Sequence, residues 1–190
     1  LLQNGLRPDC IAEEGACIRA VQKAYARRVN AEDYASLSPK DIEDIALGKR
    51  EGDKKAAIEA YEEMGLVLGS AFSTIATLFD SLIVVGGGLS YGHRLFLDKA
   101  VSVMNGSIKK YDGSVLNRLA QKAYNLEDAS SMAEFLKGGE KAIKVYGSER
   151  EVVYDPIKRV GLGISRLGTS EAVAVGAYAF ALNQIDKLNA

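Results

Sequence analysis

The fold is decided at residues 82–90, which read Leu82-Ile83-Val84-Val85-Gly86-Gly87-Gly88-Leu89-Ser90. Four apolar residues in a row predict a short β-strand with no polar face. Such a strand is typical of the middle of a parallel sheet that is covered on both faces. Three glycines then end the strand, and residues 91–104 have a helical pattern. A buried strand that turns into a helix indicates an α/β fold.

The triple-glycine turn is the strongest indication of a binding site. Glycine has no Cβ, so a planar or anionic ligand can lie directly against the main chain, and the helix that follows offers unpaired N–H groups. In open α/β sheets, ligands bind beyond the carboxyl ends of strands. The turn therefore indicates nucleotide contact, with a tight turn that binds nothing as the alternative. Neither a P-loop nor a G-x-G-x-x-G fingerprint is present.

Helices predominate on both sides of the turn. Upstream, the apolar spacing predicts helices over residues 13–28, from Ser38 to Gly48, and over residues 54–79 after the cap Asp53. Small residues in the second half of the last helix indicate tight packing. Downstream, we expect a strand over 116–124, a short helix over 128–135, a hairpin of 143–146 with 151–154, a strand over 160–165 and a final helix over 170–188.

Composition excludes several functional classes. The chain has 190 residues, of which 47% are hydrophobic and 26% are charged, with a net charge of -1. Without a basic excess, nucleic-acid binding through this chain is not expected. The longest apolar run is too short and too polar for a membrane span. Two cysteines and no visible signal peptide predict a cytoplasmic protein. Because the chain begins with leucine, we treat a fragment or a processed product as an open possibility.

Few side chains are candidates for chemistry. Glu13 and Glu14 open the first predicted helix, where they either stabilise its N-terminus or accept hydrogen bonds from sugar hydroxyls. Cys10 and Cys17 do not have the close spacing of a zinc site, and we expect ordinary thiols. His93 has no sequence neighbour that would suggest a catalytic triad, so we expect a surface or capping histidine.

Residues 65–89 resemble the C-terminal half of the ROK sugar-kinase family. The resemblance consists of a long helix rich in small residues that ends near Asp80, an apolar strand and the triple-glycine turn. The segment from Ser165 to Tyr178 is similar to the closing strand and helix of that family, and the parts around 125–128 and 144–155 resemble an insertion found in some bacterial members. It implies that residues 1–190 are one C-terminal lobe of an actin-like (ribonuclease H-like) ATPase domain, a mixed sheet packed with helices.

The resemblance also implies particular site residues. Gly86, Gly87 and Gly88 would face the adenosine of ATP, and residues from Leu89 onward would help to shape that pocket. Either Glu13 or Glu14 would bind sugar hydroxyls, and Glu13 is preferred because Ala16 and Cys17 then match an Ala-Ser pair of the family.

Several family motifs are absent from these 190 residues. The zinc box C-x-C-G-x-x-G-C retains only its first and last cysteines, Cys10 and Cys17, so zinc is not expected. The D-x-G-G-T phosphate loop, the Asn-Asp pair with the catalytic base and the T-G-x-G turn are missing, so no catalytic residue is assigned. Since phosphoryl transfer depends on such parts, we expect no kinase activity from the chain alone.

The leading hypothesis is therefore the C-terminal part of an ATP-dependent hexose kinase of the glucokinase type, with Mg²⁺ accompanying ATP in the intact protein. One alternative is the sugar-sensing domain of a ROK-type transcriptional regulator, and another is an interaction lobe without a ligand. The resemblance also implies a homodimer, whose subunits could pack through helix faces rich in small residues.

Overall fold

A three-stranded parallel sheet forms around the apolar run. The computed structural model describes residues 1–188. Strand β1 (Ile83–Val85) pairs in parallel with β7 (Arg159–Ile164), and β7 pairs in parallel with β4 (Lys122–Asn125). The order β1-β7-β4 puts β7 in the centre. The expectation that the run at 82–85 lies in the middle of the sheet is therefore wrong. Among the described residues, β1 is an edge strand, and Val84 is 66% exposed.

Two antiparallel ribbons accompany the sheet. Strands β2 (Ser107–Lys109) and β3 (Val115–Asn117) form one, and β5 (Lys141–Lys144) with β6 (Glu151–Tyr154) forms the other. The second ribbon confirms the hairpin, although its first strand lies at 141–144 and not at 143–146 as predicted. The single strand expected over 116–124 is wrong, because the chain leaves β3 and buries Leu119 in the core before β4 begins.

Six α-helices and three short 3-10 helices surround the strands in residues 1–188. The α-helices are α1 (Ile18–Val29), α2 (Pro39–Ala46), α3 (Lys54–Leu78), α4 (Leu97–Met104), α5 (Ala129–Lys137) and α6 (Thr169–Leu188). The 3-10 helices are Ala12–Gly15, Tyr34–Ser36 and Gly88–Leu95. None of the helices in this part of the chain has the length and apolar character needed to cross a membrane.

Capping residues account for several helix starts. The Ser38 side chain accepts a hydrogen bond from the Asp41 N–H, and the Asp41 carboxylate accepts one from the Ser38 N–H, which confirms the predicted N-terminus of α2. Hydrogen bonding to Ser38 lowers the pKa of Asp41. Asp53 caps α3 by accepting from the Ala56 N–H at 2.9 Å.

Two predicted helices differ from the observed ones. The first begins at Ile18, because Glu13 and Glu14 lie in the preceding 3-10 helix. The helix expected over 91–104 is divided, with a 3-10 helix before α4 and a kink at Gly92. A Cβ on Gly92 would lie 2.9 Å from the Tyr61 ring, so the chain can pass this close to α3 only with glycine.

The core lies between α3 and its neighbours α1, α2 and α4, and extends to the sheet. Its largest fully buried side chains include Tyr61, Phe96, Ile42, Ile45, Leu97, Met104 and Leu162. Two of the small residues of α3 allow a close approach of α4. A Cβ on Gly65 would lie 2.7 Å from the Phe96 carbonyl oxygen, and one on Gly69 would lie 2.6 Å from that of Ala100. Tight packing within one chain therefore accounts for Gly65 and Gly69, and dimerisation stays a prediction.

Candidate functional site

A cleft of about 690 Å³ opens at the carboxyl end of β1. Three distant segments line it: the start of α1 with the 3-10 helix before it, the N-terminus of α2, and the glycine turn. The lining includes Glu13, Arg19, Ser38, Lys40, the run Gly86 to Gly88 and Leu89. The fold therefore brings Glu13 and the triple-glycine turn, both candidate binding elements in the sequence, to one cavity.

The glycine turn has an open main chain. Gly87 has φ 93° and ψ 172°, a region that essentially only glycine occupies. A Cβ added to Gly87 or Gly88 would meet no atom within 4 Å, and one on Gly86 would lie 3.6 Å from the Ser165 Cβ. The main-chain N–H and the hydroxyl of Ser90 both donate to the Gly87 carbonyl oxygen, at 3.0 Å and 2.7 Å, and hold the turn. No side chain of residues 1–188 fills the space beside Gly87 and Gly88, so a ligand can reach their backbone.

Glu13 is placed by the packing of its 3-10 helix on α3. A Cβ on Gly15 would lie 2.7 Å from Val67 and 2.6 Å from the Asn4 amide, which shows how closely this turn approaches α3. Asn4 is buried, and its side-chain oxygen accepts hydrogen bonds from the N–H groups of Leu6 and Arg7. The segment before Glu13 is therefore internally fixed, and the carboxylate of Glu13 stays exposed at the cleft.

The neighbouring Glu14 is directed elsewhere. Its carboxylate accepts a hydrogen bond from Arg19 Nη2 at 3.1 Å, and it lines a small separate cavity of about 110 Å³. The two glutamates, equivalent in the sequence, are thus separated by the structure. Only Glu13 shares a cavity with the glycine turn.

The N-terminus of α2 forms a wall of the cleft that the sequence does not predict. Tyr61 donates a hydrogen bond to the Pro39 carbonyl oxygen at 2.7 Å, and burial raises the pKa of that tyrosine, so Tyr61 stays a donor. Lys40 lies in the wall and donates to the Asp44 carboxylate at 2.9 Å, which raises the pKa of Lys40 and keeps it charged. The capping residues predict that a helix begins here, but no local signal shows that it faces the cleft.

The cysteines and the histidine considered as candidates in the sequence form no site of their own. Both Cys10 and Cys17 are unpaired and half-buried, and Cys17 lies at the cleft wall. His93 Nδ1 lies 3.1 Å from the Ser90 carbonyl oxygen, a local contact. Across residues 1–188, no group of three or more potential metal ligands is close enough to hold an ion.

The arrangement is suited to binding more than to bond breaking. It combines the Glu13 carboxylate, which can accept hydrogen bonds, with the open backbone at Gly87 and Gly88. The cleft also contains two cations, Lys40 and Arg19, that are already paired with acids. A carboxylate offers about four acceptor sites, which suits a ligand with several hydroxyls. An exposed glycine backbone suits a flat ring.

Comparisons with known proteins found similar solved structures. It is similar to the glucokinase from Parabacteroides distasonis, with 40% identity and a TM-score of 0.83 over 96% of this chain. It is also similar in fold to a candidate sugar kinase from Cytophaga hutchinsonii, with 13% identity and a TM-score of 0.51. The chain spans 48% and 43% of the lengths of these two proteins. No family model and no curated protein matches the sequence.

Proposed function

We propose that this chain, which corresponds to the C-terminal half of a glucokinase, holds adenosine and part of a hexose within an ATP-dependent sugar kinase. The observation that carries the proposal is the shared cleft, where the exposed carboxylate of Glu13 and the bare backbone of the glycine turn line one cavity. Carboxylates bind sugar hydroxyls and bare backbone accepts a flat ring, so one cavity offers both functions that a sugar kinase must bring together.

The glycine turn would receive the nucleoside. Open space beside Gly87 and Gly88 leaves room for a purine against the main chain. Leu89 lines the same wall and is packed against the hydrophobic core, so it would give the ring an apolar contact. Ser38 and Lys40 stand in another part of the cleft wall and would lie near the polar part of the nucleotide.

Glu13 would orient the sugar. Its carboxylate is exposed at the cleft, whereas the neighbouring Glu14 is engaged by Arg19. Hydrogen bonds from sugar hydroxyls to a charged acceptor are stronger than neutral ones. Glu13 is therefore proposed to bind the sugar, and no catalytic proton transfer is assigned to it.

The remaining chemistry would come from outside the chain. The complete kinase would move the γ-phosphoryl group of ATP to a hexose hydroxyl, a reaction that depends on positioning and on charge stabilisation. Mg²⁺ neutralises the phosphates when ATP is bound. The described residues offer no cluster of ligands that fits this ion, so this lobe would hold the nucleoside and leave the metal to the phosphates and to the other half.

The alternative role as a transcriptional regulator is not favoured, because the protein that this chain resembles at 40% identity is a glucokinase. Membership of the ROK family, a cytoplasmic location and homodimerisation stay predictions.

Titration calorimetry of the chain with ATP and, separately, with glucose tests the proposal. We expect both ligands to bind, and Glu13→Gln to weaken glucose binding about tenfold or more while ATP binding is retained. Glu14→Gln is the matched control and should leave both affinities unchanged. Absence of ATP binding, or equal effects of the two variants on glucose, would refute the assignment. A coupled assay for ADP release should show no turnover by the chain alone, and a rate of about 1 s⁻¹ would show that catalysis does not need the motifs absent from these 190 residues.

A further inference from the structure

A second cavity, of about 450 Å³, opens at the amino end of the sheet. Lys122 is the first residue of β4, and Lys158 directly precedes β7. The cleft at the glycine turn lies at the carboxyl end of β1, and β1, β7 and β4 run parallel, so the two cavities lie at opposite ends of the sheet. The walls of this distal cavity include Asn105, Asn117, Leu119, Gln121, Lys122 and Lys158.

Hydrogen bonds to the main chain fix the walls of the distal cavity. The Asn105 side chain donates to the Ala123 carbonyl oxygen and accepts from the Ala123 N–H, both at 2.8 Å. The Lys122 N–H donates to the Lys158 carbonyl oxygen at 3.1 Å, and Leu119 is buried in the core. A site whose walls are already in place loses little conformational entropy when a ligand binds.

The composition of the distal cavity favours an anionic ligand. Its polar side chains are two lysines and three amides, and none of the described residues that line it carries a carboxylate. By contrast, four other cavities of the chain each have at least one glutamate in their walls. An anion that enters the distal cavity therefore meets hydrogen-bond donors without an opposing acid in the lining.

Lys158 is the cation that is available to such a ligand. Its side chain is exposed, and no acid of residues 1–188 lies within 4.0 Å of its ammonium group. Lys122 is already engaged, since its Nζ lies 2.6 Å from the Glu134 carboxylate, which raises the pKa of Lys122 and keeps it charged. The C-terminus of α4 adds only about half an elementary negative charge. The positive charge of Lys158 is therefore not cancelled by its surroundings.

A sugar phosphate combines the groups that these walls can bind. A lysine ammonium group binds phosphate as a compact point charge. The side-chain amides of Asn117 and Gln121 can both donate to and accept from hydroxyl groups, as the hydroxyls of a sugar require. The volume of the cavity also lies in the range of roughly 300–1,000 Å³ that is typical of sites for small molecules.

We infer that the distal cavity is a second ligand site of this chain, for a sugar phosphate, and that Lys158 binds the phosphate group. The inference goes beyond the proposed function and does not depend on it, because the distal cavity and the cleft at the glycine turn share no lining residue.

Titration calorimetry of the chain with glucose 6-phosphate tests the inference. Lys158→Gln should weaken binding about tenfold, because it removes a charged hydrogen bond to the phosphate. Asn117→Asp should weaken it at least as much, because it places a negative charge in the wall. Lys54→Gln, which changes an exposed lysine at the start of α3, is the matched control and should leave the affinity unchanged. Since all three positions are exposed, none of these changes should unfold the chain.

Two further measurements locate the site. Glu13→Gln should leave the binding that depends on Lys158 unchanged, because Glu13 lines only the cleft at the glycine turn. In NMR spectra, glucose 6-phosphate should shift the main-chain amide signals of residues 104–106, 117–122 and 158.

Three results would overturn the inference: no binding of glucose 6-phosphate up to about 10 mM, binding that Glu13→Gln weakens and Lys158→Gln does not, or equal affinity for inorganic phosphate, which would exclude a contribution from the sugar. If the chain fails to bind ATP but Lys158→Gln still weakens the binding of glucose 6-phosphate, the proposed function is refuted and this inference stands.

Discussion

Replacing Gly87 with alanine should lower the stability of the fold, because the glycine turn needs a backbone conformation that alanine adopts only with strain. At φ 93° and ψ 172°, Gly87 lies in a region that costs a residue with a Cβ about 1–3 kcal/mol. The added methyl group meets no atom within 4 Å, so this cost is conformational and involves no clash. Gly88 has the same open surroundings but no positive φ. Gly88→Ala should therefore be neutral, or stabilise the fold by up to about 1 kcal/mol through the entropy of the unfolded chain.

Comparing the two variants separates the cost of backbone strain at Gly87 from the effect of adding a methyl group, which has room at both positions. Urea unfolding should place Gly87→Ala about 1–4 kcal/mol below Gly88→Ala in free energy of unfolding, which corresponds to roughly 2–16 °C in Tm for a chain of this size. Equal stabilities would refute the conformational argument.

Binding provides the second measurement on the same pair. Both methyl groups project into open space at the turn, so both variants should weaken ATP binding in calorimetry. If Gly88→Ala binds ATP as tightly as the unchanged chain, the purine does not rest on this backbone, and the proposed nucleoside contact is wrong.

Three further predictions concern stability. Gly69→Ala should destabilise the fold by about 1–3 kcal/mol in urea unfolding, because its Cβ would lie 2.6 Å from the Ala100 carbonyl oxygen, and an unchanged midpoint would contradict the close helix contact. Burial acts to raise the pKa of Glu63, but hydrogen bonds from Arg28 and a neighbouring arginine outweigh it and lower that pKa below its ordinary value of 4.5. The stability that these hydrogen bonds to Glu63 contribute is therefore complete above pH 4.5 and is lost as pH falls through the lowered pKa. Glu63→Gln should accordingly reduce the free energy of unfolding by about 1 kcal/mol at pH 7 and by little in strong acid. A reduction that does not depend on pH would refute this prediction. Ser38→Ala removes a capping box and should cost about 1 kcal/mol by thermal unfolding, and a loss below the error of the measurement would show that the cap contributes nothing.

Local interactions explain what could be predicted about the fold. The start of α2 follows from Ser38 and Asp41, which bond to each other's backbone within three residues. The hairpin of β5 and β6 likewise depends on strands joined by a short turn. Errors occur where distant packing decides, as at Gly92, where the chain passes so close to the Tyr61 ring of α3 that a side chain at this position would not fit.

The sequence by itself determined the strand, the glycine turn and the helix caps, because the forces that form them act between residues a few positions apart. Only the tertiary structure decided that Glu13 and not Glu14 shares the cleft with the glycine turn, since that choice depends on how the turn at Gly15 packs against Val67 of α3. Among residues 1–188, it also decided that β1 is an edge strand and that α6 is uncovered. An apolar run shows that a strand or helix must be buried, but the partner that buries it can be any other part of the fold, and only the packed arrangement shows which one is present.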